Sequence, residues 1–252
     1  MTIEEPKQPR LYDELASWWS IFSPPADYDE EAAFFTRLLL EAGEPPARTV
    51  LELGSGGGNN ASHLKKTFQM TLVDPAPGML AVSRTINPEC EHLEGDMRTL
   101  RLGRLFDRVF IHDAINYMTT REDLRRAMET ACVHCRPGGA AIFVPDFVRE
   151  KFRPATNHGG YDGEGRAIRY LEWIWDPDPS DTTYTVDYAY LIREAGGEVR
   201  VEHDRHVLGL FSQDEWLELL KETGFEPRVV PFEHSDLEPG MHVVFVAVKP
   251  RS

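Results

Sequence analysis

The stretch "TVLELGSGGGNNASHL", residues 49–64, decides how the rest of the chain is read. Thr49 to Leu53 is a short apolar run broken by one acid, Glu52, and reads as a buried strand. Glycines follow at 54, 56, 57 and 58, and after them come residues able to open a helix. Strand, glycine loop and helix N-terminus together make a cradle for an anionic ligand group. Glycine lets backbone approach the ligand, and the helix end offers unpaired amide donors and a partial positive charge. Two common nucleotide patterns fail here. G-x-G-x-x-G counted from Gly54 and Gly56 needs a third glycine where Asn59 stands, and no Gly-Lys-Ser/Thr closes a P-loop. What fits is E-x-G-x-G-x-G, over Glu52, Gly54, Gly56 and Gly58.

Working outward, short apolar runs ("TVLEL", "MTLVD", "RVFIHD", "AAIFVPD") alternate with amphipathic stretches ("GNNASHLKKTF", "PGMLAVSRTI", "REDLRRAMETACVHC"). This alternation predicts an α/β, doubly wound, mostly parallel sheet from about Thr49 to Phe147. Upstream, Ala33, Phe34, Leu38 and Leu39 give a helix one apolar face, with Gly43 as its stop and Pro24–Pro25 separating it from an aromatic segment. Beyond Asp146, "RAIRYLEWIWD", "TYTVDYAYLIRE" and "EVRVEHDRHVLGLF" alternate at the strand period between turn signals, which predicts an inserted antiparallel meander. "SQDEWLELLKETGF" predicts a helix with Ser212 and Glu215 as capping box and Gly224 as stop. "PRVVPFE" and "HVVFVAVKP" are expected to close the sheet as an antiparallel pair. The predicted units are a helical lid over 1–45, an α/β core over 46–150 and 207–252, and a β insertion over 151–206 that covers the acceptor site.

Lys plus Arg number 27 against 42 Asp plus Glu, a formal charge of −15. A chain this acidic, without a basic cluster, excludes nucleic acid and anionic membranes as expected partners and points to a small molecule. No run approaches the length needed to span a bilayer, and "MTIEEPKQPR" has no apolar signal core, so a cytoplasmic location is expected. Cys90, Cys132 and Cys135 are too few for a disulfide framework. "CVHC" continues the helical spacing of Leu124, Met128 and Ala131, so core packing is favoured over chemistry.

Further stretches follow the glycine loop in order: "TLVDPAPGML", "EGDMR", "FDRVFIHDAINYM" and "CRPGGAAIFV". Together with E-x-G-x-G-x-G the series resembles class I S-adenosylmethionine-dependent methyltransferases over roughly Thr49 to Val144. The resemblance implies a seven-stranded Rossmann-like sheet and S-adenosylmethionine as cofactor. In it the loop (Gly54, Ser55, Gly56, Gly58) meets the aminoacid end of the ligand, and Glu52 accepts from its ammonium group. Asp74, about twenty residues past Gly54, takes the ribose hydroxyls, with Pro75 beside it. Asp96 accepts from the adenine amino group, while Met79 and Met97 give soft apolar contact. His112 and Asp113 end the strand that faces the ligand.

The segment "LYDELASWWSIFSPPADY" resembles the lid of small-molecule methyltransferases, including those acting on amino sugars. By that resemblance Tyr12 and Tyr28 close over the cofactor, and Trp18 and Trp19 wall the acceptor cavity. Asn116 and Tyr117, within "FDRVFIHDAINYM", are expected as acceptor contacts. The meander resembles the roof of those enzymes and offers Tyr161, Arg169, Tyr170, Trp173, Trp175, His206 and Phe211. The expected activity is methyl transfer to nitrogen or oxygen of a small molecule, an amino sugar or related metabolite. His112 is either a general base, since imidazole titrates near neutrality, or a strand-end residue touching the cofactor. No metal is expected; Asp113, Asp146 and Asn157 are imaginable ligands, but the sequence does not establish them as a cluster. A nicotinamide-dependent oxidoreductase and a non-catalytic binder of the cofactor remain as alternatives, and the chain is expected to be a monomer or homodimer.

Overall fold

A computed structural model describes residues 9–251, so the first eight residues of the expected lid and the final residue lie outside it. Ahead of the core, residues 10–28 run through short 3-10 turns and one helical turn, α1 (Trp19–Phe22). Leu11, Leu15 and Trp18 are buried in this segment, which is why it packs rather than trailing into solvent. The helix α2 (Asp29–Glu41) follows, with three acids in its first turn suiting the helix dipole. Its buried face is Ala32, Phe34, Phe35, Leu38 and Leu39. Ala33, expected on that face, is exposed, because Phe35 takes the inward position at helical spacing.

The core alternates β1 (Thr49–Leu53), α3 (Asn59–Leu64), β2 (Gln69–Asp74), α4 (Pro77–Ile86), β3 (Glu91–Glu94), β4 (Phe106–His112), α5 (Arg121–His134) and β5 (Cys135–Val144). Then β6 (Ala155–Gly163), β7 (Arg166–Trp175), β8 (Thr183–Glu194) and β9 (Arg200–Gly209) form a second sheet. The helix α6 (Gln213–Glu222) and strands β10 (Glu226–Pro231) and β11 (Val243–Val248) return to the first sheet. The first sheet has seven strands in the order β10-β11-β5-β4-β1-β2-β3. Strands β1 to β5 are mutually parallel, and β11 runs antiparallel between β5 and β10.

Apolar side chains fill both faces of this sheet. On one, Leu124, Met128 and Ala131 of α5 join Trp216, Leu219 and Leu220 of α6. On the other, Phe35 and Leu39 of α2 join Ala61 and Leu64 of α3. The capping box at Ser212 and Glu215 forms as expected, and Gly224 adopts φ +95 past the helix end. Cys135 does not continue α5; it opens β5 and is fully buried, so the helical spacing ran one residue too far.

A buried cation also joins the layers. Arg108 of β4 is 0% exposed, and its guanidinium donates to the carbonyls of Leu39 at 2.8 Å, Asp107 at 2.8 Å and Pro45 at 3.1 Å. It thereby satisfies orphan carbonyls at the end of α2.

The second sheet is a meander in the order β6-β7-β8-β9 and extends past the expected boundary at residue 206 to Gly209. Its first strand, "ATNHGGYDG", had no strand signature: it is a glycine-containing edge strand with mostly exposed side chains. One face of the sheet packs Ile168, Tyr190 and Ile192 against Leu11, Leu15 and Trp18. Among the described residues no helix is long and apolar enough to cross a membrane.

Candidate active site

The strand order turns at β1, which pairs with β2 on one side and β4 on the other. Ligands of open α/β sheets bind in the crevice at such a point, outside the carboxyl ends of the strands. A cavity of about 1350 Å³ lies there, bounded by the glycine loop, the ends of β2 and β4, the N-terminal segment and the second sheet.

The loop can only be built with its glycines. Gly54 has φ +73, and a Cβ there would sit 2.2 Å from that of Ala114; at Gly57 it would sit 2.2 Å from the Trp19 ring. Glu52, next to last in β1, is only 3% exposed, and its Oε2 has no hydrogen-bond partner. Burial, with help from Asp74 and Glu31, pushes its carboxyl up to about 8. Ser55 Oγ is likewise buried without a partner. Asp74 accepts from Gly56 N at 2.8 Å and Ala76 N at 2.8 Å, which locks the loop onto the end of β2. Burial raises the Asp74 carboxyl while these amides oppose the shift. Asp96 feels burial too, but the Arg98 guanidinium, at 2.6 Å, holds its carboxyl below the ordinary range.

At the end of β4, His112 Nδ1 lies 3.2 Å from Asp113 Oδ2, and Nε2 lies 3.7 Å from Glu31 Oε1. Asp113 has φ +26, the sole positive φ of a non-glycine residue among those described. Its side chain is 58% exposed, opening into the cavity. The surrounding protein and the charge of Glu31 push its carboxyl up to about 7, against a hydrogen bond with Asp146 that lowers it. Asp146, held by Tyr184 at 3.0 Å, is raised further by burial and by Asp113. The third residue of the imagined metal set, Asn157, is on β6 and donates to Glu172 Oε2 at 2.6 Å. Among the described residues no group of three or more His, Cys, Asp and Glu is placed to hold a metal.

The structure brings most of the expected residues to one cavity. Tyr12, Trp19 and Tyr28 reach it from the N-terminal segment; Glu52, Gly54, Ser55, Gly56, Asp74, Pro75, Met79, Asp96 and Met97 form one end; His112, Asp113, Tyr117, Trp173 and His206 line it further on. Others lie off it. Gly58 packs against Asn87 and Ser83 as the residue before α3, and Asn116 is buried, accepting from Asp146 N at 3.3 Å. Trp18 is core, with the Arg166 guanidinium 3.7 Å from its ring centre. Tyr161 donates to Asp27 at 2.7 Å, Arg169 pairs with Asp162, and Trp175 donates to Asp187 while stacking on Trp173. Tyr170 packs on Phe22, and Phe211 belongs to the sheet core.

Several lining residues went unnamed in the sequence. Asn59, the residue that breaks the dinucleotide pattern, bonds Ser23 O at 2.9 Å and accepts from Trp19 Nε1 at 3.4 Å, tying loop to lid. Asn60 donates to Glu31 at 2.8 Å. Asp204 was missed as well, although its place two residues before His206 on one strand put both on the same face.

A doubly wound sheet with an antiparallel last strand, a glycine loop under an acid and an acid ending β2 defines the class I methyltransferase architecture. Comparison with known proteins agrees. Residues 50–139 match the family described as "Methyltransferase domain". The chain is 27% identical over 224 residues to the dTDP-3-amino-3,4,6-trideoxy-alpha-D-glucopyranose N,N-dimethyltransferase of Streptomyces venezuelae, covering 88% of this chain and 91% of that one. The sugar N-methyltransferase KedS8 from Streptoalloteichus superposes with a TM-score of 0.80 at 25% identity, covering 99% and 97% of the two chains. The S-adenosylmethionine-bound amino pentose methyltransferase CalS10 from Micromonospora echinaspora shares the fold, with a TM-score of 0.74 at 24% identity over 88% and 91%. Residues 50–139 of this chain are thus a methyltransferase domain, the whole chain is similar to S-adenosylmethionine-dependent sugar N-methyltransferases, and neither the oxidoreductase nor the non-catalytic alternative finds support. The residues present fit the cofactor. Glu52 Oε2 and Ser55 Oγ are buried polar atoms with no protein partner, beside a cradle that a Cβ would fill.

Proposed function

We propose that the chain methylates the amino nitrogen of an amino sugar or a related small metabolite in the cytoplasm. The single observation that carries the reading is the continuity of one cavity from the acids Glu52, Asp74 and Asp96 to an aromatic and hydroxylic end formed by Trp19, Tyr12 and Tyr117. Its volume of about 1350 Å³ exceeds the several hundred Å³ of a usual small-ligand pocket, which suits two ligands side by side. The names of the relatives supply the sugar. When bound, S-adenosylmethionine provides an electrophilic methyl group on a sulfonium. Glu52 would accept from the ligand's ammonium, Asp74 would take the ribose hydroxyls, and the lid would hold water out while the acceptor is aligned.

The lining arginines bear on the form of the acceptor. Arg10, Arg98 and Arg205 each face a carboxylate already, Glu202, Asp96 and Asp187 in turn. A phosphorylated acceptor would have to displace one of these pairs. The test therefore offers the chain S-adenosylmethionine with dTDP-linked 3-amino-3,6-dideoxyglucose, with the methyl glycoside of the same sugar, and with the matching 3-hydroxy sugars. S-adenosylhomocysteine release with the amines and not the hydroxyl sugars supports the reading. Turnover of the hydroxyl sugars alone would overturn it. That second outcome is the O-methylation reading, favoured by one observation, the placement of His112 at the cavity between Glu31 and Asp113.

A further inference from the structure

Four residues from three segments remote in sequence meet where the roof and lid touch the core. Tyr117 OH lies 2.7 Å from His206 Nδ1 and donates to Tyr12 OH at 3.1 Å. His206 Nε2 lies 3.3 Å from Asp204 Oδ2, and that same oxygen accepts from Leu11 N at 2.9 Å. All four side chains reach the cavity that also holds Glu52 and Asp74, while Asp204 and His206 are themselves 8% and 4% exposed. The close passage of β9 past the core depends on Gly209, where a Cβ would stand 2.2 Å from Met118 O. Docking of Leu11 on Asp204 is what puts the adjacent Tyr12 beside Tyr117, so lid closure completes the chain of hydrogen bonds.

We infer that the Tyr117 hydroxyl takes the proton an acceptor ammonium must lose before methylation, and passes its own to His206, with Asp204 and His206 as positioning residues behind it. The inference rests on the amine reading above. An alkylammonium has no lone pair, so it cannot attack a methyl group until one proton has gone. The Tyr117 hydroxyl turns its proton from Tyr12 to His206 Nδ1, within reach at 2.7 Å; the ammonium N–H donates to Tyr117 Oη as that proton moves to the imidazole. The nitrogen then carries the lone pair and the imidazole the positive charge, facing the Asp204 carboxylate. The nitrogen pair forms the new C–N bond, the sulfur takes the electrons of the broken C–S bond, and the methylated nitrogen is again a cation. His206 returns its proton to solvent when the lid opens.

Two features fit this arrangement. Burial, reinforced by Tyr12, raises the Tyr117 phenol well above its ordinary range, so the hydroxyl relays a proton rather than resting as phenolate. The titratable groups facing the His206 ring are Tyr12 (centroids 5.7 Å apart), Tyr117 (6.1 Å), Tyr188 (5.1 Å) and Asp204, whose carboxylate oxygen stands 3.3 Å from Nε2, on the far side of the ring from Tyr117.

The experiment compares kcat and KM of wild type, His206→Asn and Asp204→Asn on the two amino sugars from about pH 6.5 to 9.5. Wild-type kcat should vary little across the range. In His206→Asn it should fall about 10²-fold at pH 7 and climb roughly tenfold per pH unit as free amine accumulates, with KM little changed. Asp204→Asn, which keeps an oxygen for Leu11 N–H, should move the same way by a smaller factor. A loss that is equal at every pH makes His206 structural and overturns the relay. A wild-type chain that methylates no amine overturns the acceptor reading instead. The wiring is then judged without any acceptor, from long-range 1H–15N spectra of the imidazole: the Nδ1 signal of His206 should move in Tyr117→Phe and the Nε2 signal in Asp204→Asn. Unmoved signals overturn the relay on their own.

Discussion

Glu52 offers the sharpest test of the cofactor end of the site. In the ligand-free chain its carboxyl sits at about 8, chiefly through burial and then through Asp74 and Glu31, so at pH 6 it is almost wholly protonated. Accepting from the ammonium of S-adenosylmethionine requires the ionised form. Binding at pH 6 must therefore release about one proton, at a cost of about 3 kcal/mol that is absent once the pH passes 8. Affinity should rise up to ~100-fold from pH 6 to 8 and then level off. Calorimetry with S-adenosylhomocysteine, which carries the same aminoacid group, in buffers of different ionisation enthalpy reads the proton directly. Glu52→Gln should bind weakly at every pH, with no proton release.

The same group sets a pH-dependent stability. A carboxyl raised on folding binds more protons in the folded state, so stability is full below the unfolded value near 4.5 and declines as the pH rises through 8. For a residue only 3% exposed the ceiling is about 5 kcal/mol. Glu52→Gln should leave the urea midpoint of the ligand-free chain unchanged near pH 5 and raise it at pH 9. Buffer-independent binding enthalpy, together with a variant that binds as tightly as wild type, would refute the assignment of Glu52 to the ammonium.

Asp74→Ala should weaken S-adenosylhomocysteine binding at least ~100-fold by calorimetry, because it frees the Gly56 and Ala76 amides from their anchor and would remove the proposed ribose acceptor. Gly57→Ala drives a Cβ into the Trp19 ring, so Trp fluorescence and proteolysis of the N-terminal segment should report an undocked lid while the far-ultraviolet spectrum stays native. Arg108→Met strands buried carbonyls at the end of α2 and should cost about 2–4 kcal/mol in urea unfolding, with cofactor affinity of the folded chain unchanged. His112→Asn separates the two acceptor readings: a loss of ~10²-fold in kcat on a hydroxyl sugar marks a base, and near-normal turnover of an amino sugar marks a wall residue.

The α/β core was legible because its signals are local. Thr49–Leu53 and Pro77–Ile86 appear with the bounds their apolar periodicity implied, and Ser212, Glu215 and Gly224 mark a helix in the sequence by cap chemistry alone. The glycine loop was legible for a related reason: backbone conformation and close approach leave only glycine tenable at Gly54, so the constraint is printed in the residue type. Where a constraint is tertiary the signal vanishes. Nothing near Arg108 announces that its guanidinium will cap a helix dozens of residues upstream. Strand β6 was missed because an edge strand pairs through its backbone and leaves its side chains free to be small or polar.

The acceptor end illustrates the limit in its strongest form. In the meander a residue's face follows from its parity, yet parity does not say which face looks inward. Tyr161, Arg169 and Trp175 carry the chemistry of ligand contacts and are occupied by Asp27, Asp162 and Asp187 instead. His206 and Asp204 share the inward face, but their partners Tyr117 and Tyr12 come from the loop after β4 and from the N-terminal segment. The cofactor end is built from consecutive strand ends of one sheet, a geometry that the fold repeats and that sequence motifs therefore encode. The acceptor end is built at the junction of lid, core and roof, where each contact depends on how the three pack. A substitution at that junction such as Gly209→Ala should accordingly disturb His206 and lid docking together, while leaving the affinity for S-adenosylhomocysteine within a few-fold of wild type.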